Sequence, residues 1–378
     1  MTTAALDPTE LLQRLVAIDS TSSRTNLPVI NLVEKELLAL GFTCVRQPWA
    51  DERGVQKENL IAQRGDATAQ PGLAFVGHSD CVPFDPAWAG ALEGKIEEGK
   101  LYARGSADTK GYIAAAISAA SRITNHKQPL MVLITADEEV GCLGAKKLLE
   151  EFEEKGGRPR PRRAIIGEPT RMVPIRGHKG YCLAEISITG REGHSAYPDT
   201  GASAILAAGR VLRELEELGV RLKSDRDPLF SPPYTTLNVG LISGGSAKNV
   251  IAGACKLTLE WRPVPDQDVK NVLGEVEAAC ARHTAGMIRC EVKPSRLDLG
   301  VATEPGELIQ FFEEKTGNRV ETIPFGTELP YLVALGAEAC VFGPGDIRVA
   351  HRTGEFIPLN ELNAATEILS EAIARFCN

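Results

Sequence analysis

The chain has 378 residues, more than a single hydrophobic core usually serves, so two domains are expected. Its hydrophobic share of 43% and charged share of 24% are those of an ordinary globular protein. The formal net charge of −8 argues against nucleic acid or an anionic membrane as a partner, because both attract basic surfaces.

The cysteines and the N-terminus bear on the cellular compartment. Nine cysteines are scattered along the chain without a CxxC pair, which is typical of small buried side chains in a reducing compartment. The N-terminus lacks the basic and apolar regions of a signal peptide, and no apolar run approaches the roughly 20 residues that span a bilayer. The sequence therefore predicts a cytoplasmic protein.

The first half of the chain alternates helices and buried strands. Asp7 before Pro8 predicts the start of a helix, and a second helix is predicted over 28–40, ending at Gly41. Short apolar runs predict strands at 60–62, 73–76, 130–135 and 164–166. Helical patterns separate several of these strands, at 112–123 and 143–155. This alternation predicts an α/β fold with a mixed, largely parallel sheet covered by helices.

The pattern changes near residue 176. Alternating apolar residues predict antiparallel strands with one exposed face, at 182–188, 236–242, 256–261 and 288–293. Two amphipathic helices are predicted between them, at 201–218 and 266–283. The order β-α-β-β-α-β is a ferredoxin-like pattern. We therefore expect an α+β domain over 176–294, inserted into a domain formed by 1–175 and 295–378.

Two polar clusters follow strands in the first part of the chain. His78 and Asp80 are two residues apart at a strand end, which places both side chains on one side of an extended segment. A metal-binding histidine commonly donates its second ring nitrogen to a carboxylate, although a capped histidine in a turn has the same pattern. Asp108, in a glycine-containing loop before a helix, is either a carboxylate that bridges two metal ions or a helix cap.

Further acids and one histidine follow later elements. Three consecutive acids, residues 137–139, end a predicted strand, and successive residues of an extended segment point in different directions. One acid can therefore bind metal while its neighbour takes a proton from water, although acids before a helix are also common without function. Glu168 precedes a proline, which favours extended backbone, and His351 follows a Gly-Pro-Gly-Asp loop.

These clusters are expected to meet, because the ends of parallel strands converge at one edge of an α/β sheet. Two like charges about 4 Å apart repel by about 4 kcal/mol at an effective dielectric constant of about 20, so clustered carboxylates require cations. Two divalent ions balance the charges of one hydroxide and of Asp108, Glu139 and Glu168. Imidazole and carboxylate ligands suit zinc or cobalt better than calcium. The sequence thus predicts a two-metal hydrolytic centre, in which the ions activate water and polarise a carbonyl.

Taken together, these motifs resemble those of the dinuclear zinc amidohydrolases, which include acetylornithine deacetylases, desuccinylases, aminoacylases and related exopeptidases. The resemblance covers nearly the whole chain, and its most specific motifs are GHSD (77–80), ADTKG (107–111), DEEVG (137–141) and GEPT (167–170). It implies a zinc-exopeptidase-like fold that binds two metal ions. His78 and Glu168 would hold one ion, Glu139 and His351 would hold the other, and Asp108 would bridge both.

The resemblance also implies roles beyond metal binding. Glu138 is expected to be the general base, Asp80 to orient His78, and the peptide bond after Asp108 to be cis. The inserted domain is expected to act as a lid and to form a homodimer, in which His194 reaches the partner's active site and stabilises the oxyanion. Without the resemblance, His194 would be interpreted as a turn residue.

The family resemblance also implies which residues bind the substrate. Asn249 and Arg262 match positions that bind the substrate carboxylate, a role that suits a planar guanidinium, although Arg262 could equally form a surface ion pair. Desuccinylases typically have a GTSDAR-like segment where this chain has Gly326, Thr327 and Glu328. The acidic Glu328 favours an amine on the substrate. The segments RGHKG and FGTELP are most similar to acetylornithine deacetylases.

The predicted function is metal-dependent hydrolysis of the N-acetyl amide of a small N-acyl amino acid. The first candidate reaction converts N2-acetylornithine to ornithine and acetate, a step of arginine biosynthesis. Deacylation or desuccinylation of another N-acyl amino acid is the alternative. A non-catalytic binding protein on the same scaffold is disfavoured because every expected ligand and the base are present. A nucleotide-dependent enzyme is disfavoured because the phosphate-binding loop motifs are missing.

Overall fold

A computed structural model describes residues 5–154, 159–265 and 267–378. The predicted helix end at Lys155 and helix start at Asp266 lie outside these residues. Within them, the helices are α1 (Pro8–Val16), α2 (Leu27–Ala39), α3 (Gly111–Arg122), α4 (Leu143–Glu154), α5 (Ala204–Leu222), α6 (Val269–Arg282), α7 (Glu307–Thr316), α8 (Leu329–Ala334) and α9 (Leu359–Phe376). In the described part of the chain, no helix combines the length and apolarity needed to cross a membrane.

The strands include several short ones that the sequence did not predict. They are β1 (Thr43–Ala50), β2 (Gln56–Arg64), β3 (Leu73–His78), β4 (Lys95–Glu97), β5 (Lys100–Tyr102), β6 (Leu130–Thr135), β7 (Arg163–Ile166), β8 (Ile175–His178), β9 (Tyr181–Thr189), β10 (Gly193–His194), β11 (Thr236–Gly244), β12 (Val250–Ile251), β13 (Ala254–Arg262), β14 (Arg289–Asp298), β15 (Val301–Ala302), β16 (Glu321–Ile323), β17 (Glu338–Val341) and β18 (Phe356–Pro358). The chain divides into two compact units. The first runs up to Arg176 and resumes over Thr303–Glu321 and Thr327–Asn378, and the second comprises Gly177–Ala302 and Thr322–Gly326.

The main sheet of the first unit is mixed and largely parallel. Six of the nine strands of this sheet follow one another in the order β1-β2-β6-β3-β7-β17. The pairs β6-β3, β3-β7 and β7-β17 are parallel, whereas β1-β2 and β2-β6 are antiparallel. Strands β3 and β6 are buried along their whole length, as expected for strands covered on both faces. The predicted α/β class is confirmed.

Helix α3 anchors the loop that carries Asp108. Its residues from Gly111 to Ser121 are all buried, because its alanine-rich sequence combines high helix propensity with the lack of a polar face. The helix lies against α1 and α9 in the core of the first unit. Helix α1 begins at Pro8, and the Asp7 carboxylate caps it by accepting hydrogen bonds from two main-chain N–H groups, as predicted.

The second unit contains a four-stranded antiparallel sheet in the order β11-β13-β9-β14. Helices α5 and α6 pack on this sheet and share a core with its buried residues. Every second residue of β9 and β13 is buried, which is typical of a sheet with one covered face. The chain order β9-α5-β11-β13-α6-β14 confirms the predicted ferredoxin-like pattern.

Strand β14 is longer than the sequence indicated. A strand was predicted over 288–293, whereas β14 continues to Asp298. The register shifts between Pro294 and Arg296, so a bulge accommodates the proline on this edge strand. The second unit accordingly extends to Ala302, past the boundary that the sequence suggested.

Candidate metal centre

Three neighbouring strands bring the acidic loops together. Strand β3 ends at His78, β6 ends just before the acids at 137–139, and β7 ends just before Glu168. Because β3 pairs in parallel with both β6 and β7, the carboxyl ends of the three strands lie side by side. The sheet topology therefore explains why residues distant in the sequence meet at one edge.

Two groups of possible ligands share one carboxylate. Ligand atoms of His78, Asp108 and Glu168 lie within 4.8 Å of one another, and so do those of Asp108, Glu139 and His351. His78 Nε2 lies 3.0 Å from Asp108 Oδ1, and His351 Nε2 lies 3.1 Å from Asp108 Oδ2. Each oxygen of Asp108 thus faces a different histidine, as expected for a carboxylate between two metal ions. All five residues predicted as ligands are brought together.

The second ring nitrogen of His78 is held by main chain. Nδ1 lies 3.0 Å from the Asp80 carbonyl oxygen and 3.6 Å from Asp80 Oδ1. Because a carbonyl oxygen only accepts hydrogen bonds, Nδ1 donates to it, which leaves Nε2 facing Asp108, where its lone pair would be available to a bound metal ion. The contact of His78 with Asp80 is thus shorter to the carbonyl oxygen than to the carboxylate that the sequence suggested, and the orienting role of Asp80 stays a prediction.

The Asp80 carboxylate fixes the acidic turn instead. It accepts hydrogen bonds from Ser22 Oγ at 2.7 Å, from Glu138 N at 3.1 Å and from Glu139 N at 3.3 Å. Burial raises the pKa of Asp80, but the interactions with His78, Ser22 and Glu138 N outweigh it and hold the pKa below its ordinary value. One ionised carboxylate therefore connects a predicted ligand to the predicted base.

Consecutive glutamates face different partners. Glu139 Oε1 lies 3.1 Å from His351 Nε2, within a ligand group. Glu138 belongs to neither ligand group among the described residues, and its Oε1 accepts a hydrogen bond from Cys142 Sγ at 3.4 Å. Burial raises the pKa of Glu138 to about 8, and nearby Glu139 adds to this effect while His78 opposes it. A carboxyl group of this kind is suited to take up and release a proton near neutral pH.

The donor set fits two divalent cations. Burial and the negative charge of Asp108 raise the pKa values of Glu139 and Glu168, so these acids resist ionisation without a compensating positive charge. Contacts with Asp108 and Glu139 raise the pKa of His351 to about 10. The combination of two imidazoles and three carboxylates is one that zinc and similar transition metals bind.

The loop around Asp108 is held by a residue that the sequence analysis missed. Glu355 Oε1 accepts hydrogen bonds from Ala107 N at 3.0 Å and Asp108 N at 3.2 Å, and Glu355 Oε2 accepts one from Arg104 at 2.6 Å. The peptide bond between Asp108 and the next residue is cis, as the family resemblance predicted. In the sequence, Glu355 lies four residues after the predicted ligand His351, and this closeness could have indicated that it belongs to the centre.

Thr327 and Glu328 belong to the first unit and are buried, being 2% and 1% exposed. Thr327 Oγ1 accepts a hydrogen bond from Leu329 N at 3.2 Å at the start of α8. Burial raises the pKa of Glu328 to about 7, a hydrogen bond with Thr135 and the nearby His78 oppose this shift, and the charge of Asp80 adds to it. Glu328 therefore lies among the residues of the centre.

The remaining predicted residues lie in the second unit. His194, on β10, is exposed, and its Nδ1 accepts a hydrogen bond from Ala196 N at 3.2 Å. Asn249 is exposed in the loop before β12, and Gly326 ends the unit. Arg262 Nε donates to Glu260 at 2.8 Å, so the ion pair that the sequence left open does form. The roles of these four predicted residues in catalysis or substrate binding stay predictions.

Similar proteins were found at the levels of sequence and structure. Residues 74–375 match the family model of peptidase family M20/M25/M40. An acetylornithine deacetylase from Myxococcus xanthus is 50% identical over 97% of this chain and 96% of that protein. One from Proteus mirabilis is 36% identical over 97% and 96%.

Two solved structures share the fold. A tripeptidase from Staphylococcus aureus has a TM-score of 0.79 at 21% identity, covering 98% of this chain and 100% of that one. An M20 family metallo-carboxypeptidase from Sulfolobus solfataricus has a TM-score of 0.77 at 17% identity, covering 97% and 98%.

The fold, the two ligand groups around Asp108 and the sequence relatives together define a metal-dependent amidohydrolase. The chain belongs to peptidase family M20/M25/M40. The family resemblance stated from the sequence motifs is therefore confirmed.

Proposed function

We propose that the protein hydrolyses the N-acetyl amide of N2-acetylornithine to ornithine and acetate, as a step of arginine biosynthesis. The observation that carries this proposal is the 50% identity to an acetylornithine deacetylase over nearly the full length of both chains. The placement of Glu138 beside two ligand groups supports the same reaction class.

The metal ions would be two zinc or cobalt ions, each held by residues of the first unit. His78 and Glu168 would hold one ion, Glu139 and His351 would hold the other, and Asp108 would contribute to both sites. When bound, such ions activate water and polarise the acyl carbonyl. The proximity of the ligand atoms supports this assignment.

Glu138 acts as the general base and then as the general acid. It accepts a proton as the oxygen of water forms a bond to the acyl carbon. It then donates that proton to the departing amine nitrogen as the carbon–nitrogen bond breaks, which releases acetate and the free amino acid. Asp80 holds the main chain of Glu138 for this transfer.

Substrate recognition is divided between the two ends of the amino acid. Arg262 and Asn249 bind the α-carboxylate, and the Arg262 guanidinium carbon lies over the Tyr181 ring, 4.4 Å from its centroid. Gly326, Thr327 and Glu328 line the region for the side-chain amine, with the Glu328 carboxylate supplying the negative charge that an ornithine side chain requires.

A homodimer formed through the second unit completes the proposal, with His194 of the partner subunit stabilising the oxyanion. The exposed edge strand β11 supports it, because Leu241 and Ile242 are 68% and 57% exposed there. Exposed Leu206 and Val220 of α5 extend the apolar surface of this unit. The second unit also serves as the lid. The cytoplasmic location stays a prediction that cell fractionation tests.

The test is a comparison of N-acyl amino acids with zinc- and cobalt-loaded protein. Ornithine release from N2-acetylornithine should exceed release of the free amino acid from N-acetylcitrulline and from N-succinyl-diaminopimelate. A preference for either of the other two compounds would change the proposed substrate but not the proposed class of reaction. Absence of hydrolysis of every N-acyl amino acid, with both metals bound, would favour a non-catalytic binding protein.

A further inference from the structure

A buried ion pair lies directly behind the acidic turn. Lys57, on β2, donates hydrogen bonds from Nζ to Asp137 Oδ1 at 2.6 Å, to Ser22 O at 2.8 Å and to Arg24 O at 2.7 Å. The side chains of Lys57 and Asp137 are 0% and 1% exposed. All three N–H groups of the ammonium therefore have acceptors, and the lysine is fixed at a single position.

Stability alone is a weak explanation for this pair. Replacing a buried ion pair by apolar side chains of similar size is often neutral or stabilising, because two charges must be desolvated to form the pair. Many buried sites near β2 are apolar, including its own Leu60 and Ile61. A charged pair inside such a core is therefore better explained by a role in positioning neighbouring residues.

The geometry in question is the chain direction at Asp137. This residue has left-handed backbone with φ of +57°, which aspartate tolerates better than most side chains. The turn follows directly after β6, so it sets where the next two residues point. Lys57 holds the side chain of the residue at which the chain turns.

The same turn is held from its other side by Asp80. Asp80 accepts the N–H groups of Glu138 and Glu139, at 3.1 and 3.3 Å. Ser22 joins the two anchors, because its Oγ donates to Asp80 and its carbonyl accepts from Lys57. The charged side chains of Lys57 and Asp80 thus hold the segment 137–139 by hydrogen bonds, and Ser22 is hydrogen-bonded to both.

We propose that Lys57 is a positioning residue for catalysis: by holding Asp137, it fixes the turn that directs Glu138 to proton transfer and Glu139 to the metal ions. The inference rests on the proposed role of Glu138 as general base. Lys57 donates its hydrogen bonds to Ser22, Arg24 and Asp137 and not to a predicted metal ligand, and its charge compensates that of Asp137.

The decisive variant is Lys57→Met combined with Asp137→Asn. Lys57→Met alone would leave the Asp137 carboxylate buried without its cation, which endangers folding. The double variant removes both charges and keeps a side chain that tolerates left-handed backbone. Leu369→Ala is the matched control, because Leu369 is a fully buried residue of α9, so its loss lowers stability within the same unit without touching the turn.

The expected result with metal-saturated protein is a fall of up to about 100-fold in kcat for N2-acetylornithine, the scale of a 1 Å misplacement of a reacting group, with little change in KM. Asp137→Asn alone keeps an oxygen for Lys57, so its kcat should fall less. The control should keep its kcat at temperatures where it is folded. A double variant with the kcat of the control would overturn the inference.

Amide hydrogen exchange supplies a readout that does not depend on activity. Exchange over residues 137–142 should be faster in the double variant than in wild type, while the Leu369→Ala control leaves this segment unchanged. Equal exchange in all three proteins would refute the positioning role. If the wild-type protein hydrolyses no N-acyl amino acid, the proposed function fails, and the exchange data still decide whether Lys57 fixes the turn.

Discussion

Asp80 and Asp108 show how single carboxylates organise the centre. Asp108 faces one histidine with each oxygen. Asp80 receives the main chain of two glutamates while its carbonyl holds His78. Because both aspartates are buried, their hydrogen bonds form in a low dielectric, where such contacts are stronger and where an unpaired partner is costly. These contacts fix the geometry of the centre at the scale of single residues.

The division of labour between Glu138 and Glu139 gives a residue-scale prediction. Glu138→Ala should lower kcat by about 100- to 10,000-fold, the usual contribution of a general acid–base group. It should leave two metal ions per chain, because Glu138 is outside both ligand groups. Metal analysis and initial rates on the same sample check this. Near-normal turnover would remove the base assignment, and loss of metal would make Glu138 a ligand.

At this scale, the sequence was informative about which residue types matter and less so about their partners. His78, Glu168 and the acids at 137–139 could be predicted because strand ends place polar groups at one edge of the sheet. The pairing of Lys57 with Asp137 could not, because 80 positions separate them and lysines on strands are usually solvated.

At the scale of elements, one C-terminal segment supports both ligand groups. It carries His351 and, four residues later, Glu355, which accepts the N–H groups of the Asp108 loop. The side chains of Glu355 and Arg104 are 1% and 3% exposed, so they form a buried pair. The segment therefore couples a metal ligand to the loop of the bridging carboxylate.

This coupling predicts a stability effect. Glu355→Ala leaves the Arg104 guanidinium buried without its partner and should lower the free energy of unfolding by about 3–5 kcal/mol. Urea unfolding of metal-free protein measures the change. Breaking the exposed pair of Arg14 and Glu36 with Arg14→Gln should cost far less. Equal costs for the two variants would contradict the coupling.

Two strands that the sequence missed or cut short, β1 and β14, lie at sheet edges. Strand β1 is partly exposed, polar and contains a proline, so it lacks the apolar pattern by which buried strands are recognised. Strand β14 continues through Pro294 because an edge strand tolerates a bulge there. The buried strands β3, β6 and β7, in contrast, were predicted within two residues at either end.

At the scale of the whole molecule, the proposed dimer gives the most specific prediction. Leu241→Lys places a charge on the exposed edge strand β11 and should convert the dimer to a monomer, as measured by light scattering. Activity should fall with dimer content, since in the proposed dimer His194 would act in the partner subunit. Leu38→Lys, at a 53% exposed leucine of α2 in the first unit, is the control and should stay dimeric. A monomeric wild type with full activity would exclude the shared site.

The central claim is that two metal ions share Asp108 and that hydrolysis depends on them. The most direct measurement is metal content per chain, alongside acetylornithine hydrolysis, before and after chelation and after zinc is returned. We predict two ions per chain, loss of activity with their removal, recovery on reloading, and loss of both ions in Asp108→Ala. Undiminished hydrolysis by metal-free protein, or an Asp108→Ala variant that keeps both ions, would contradict the account.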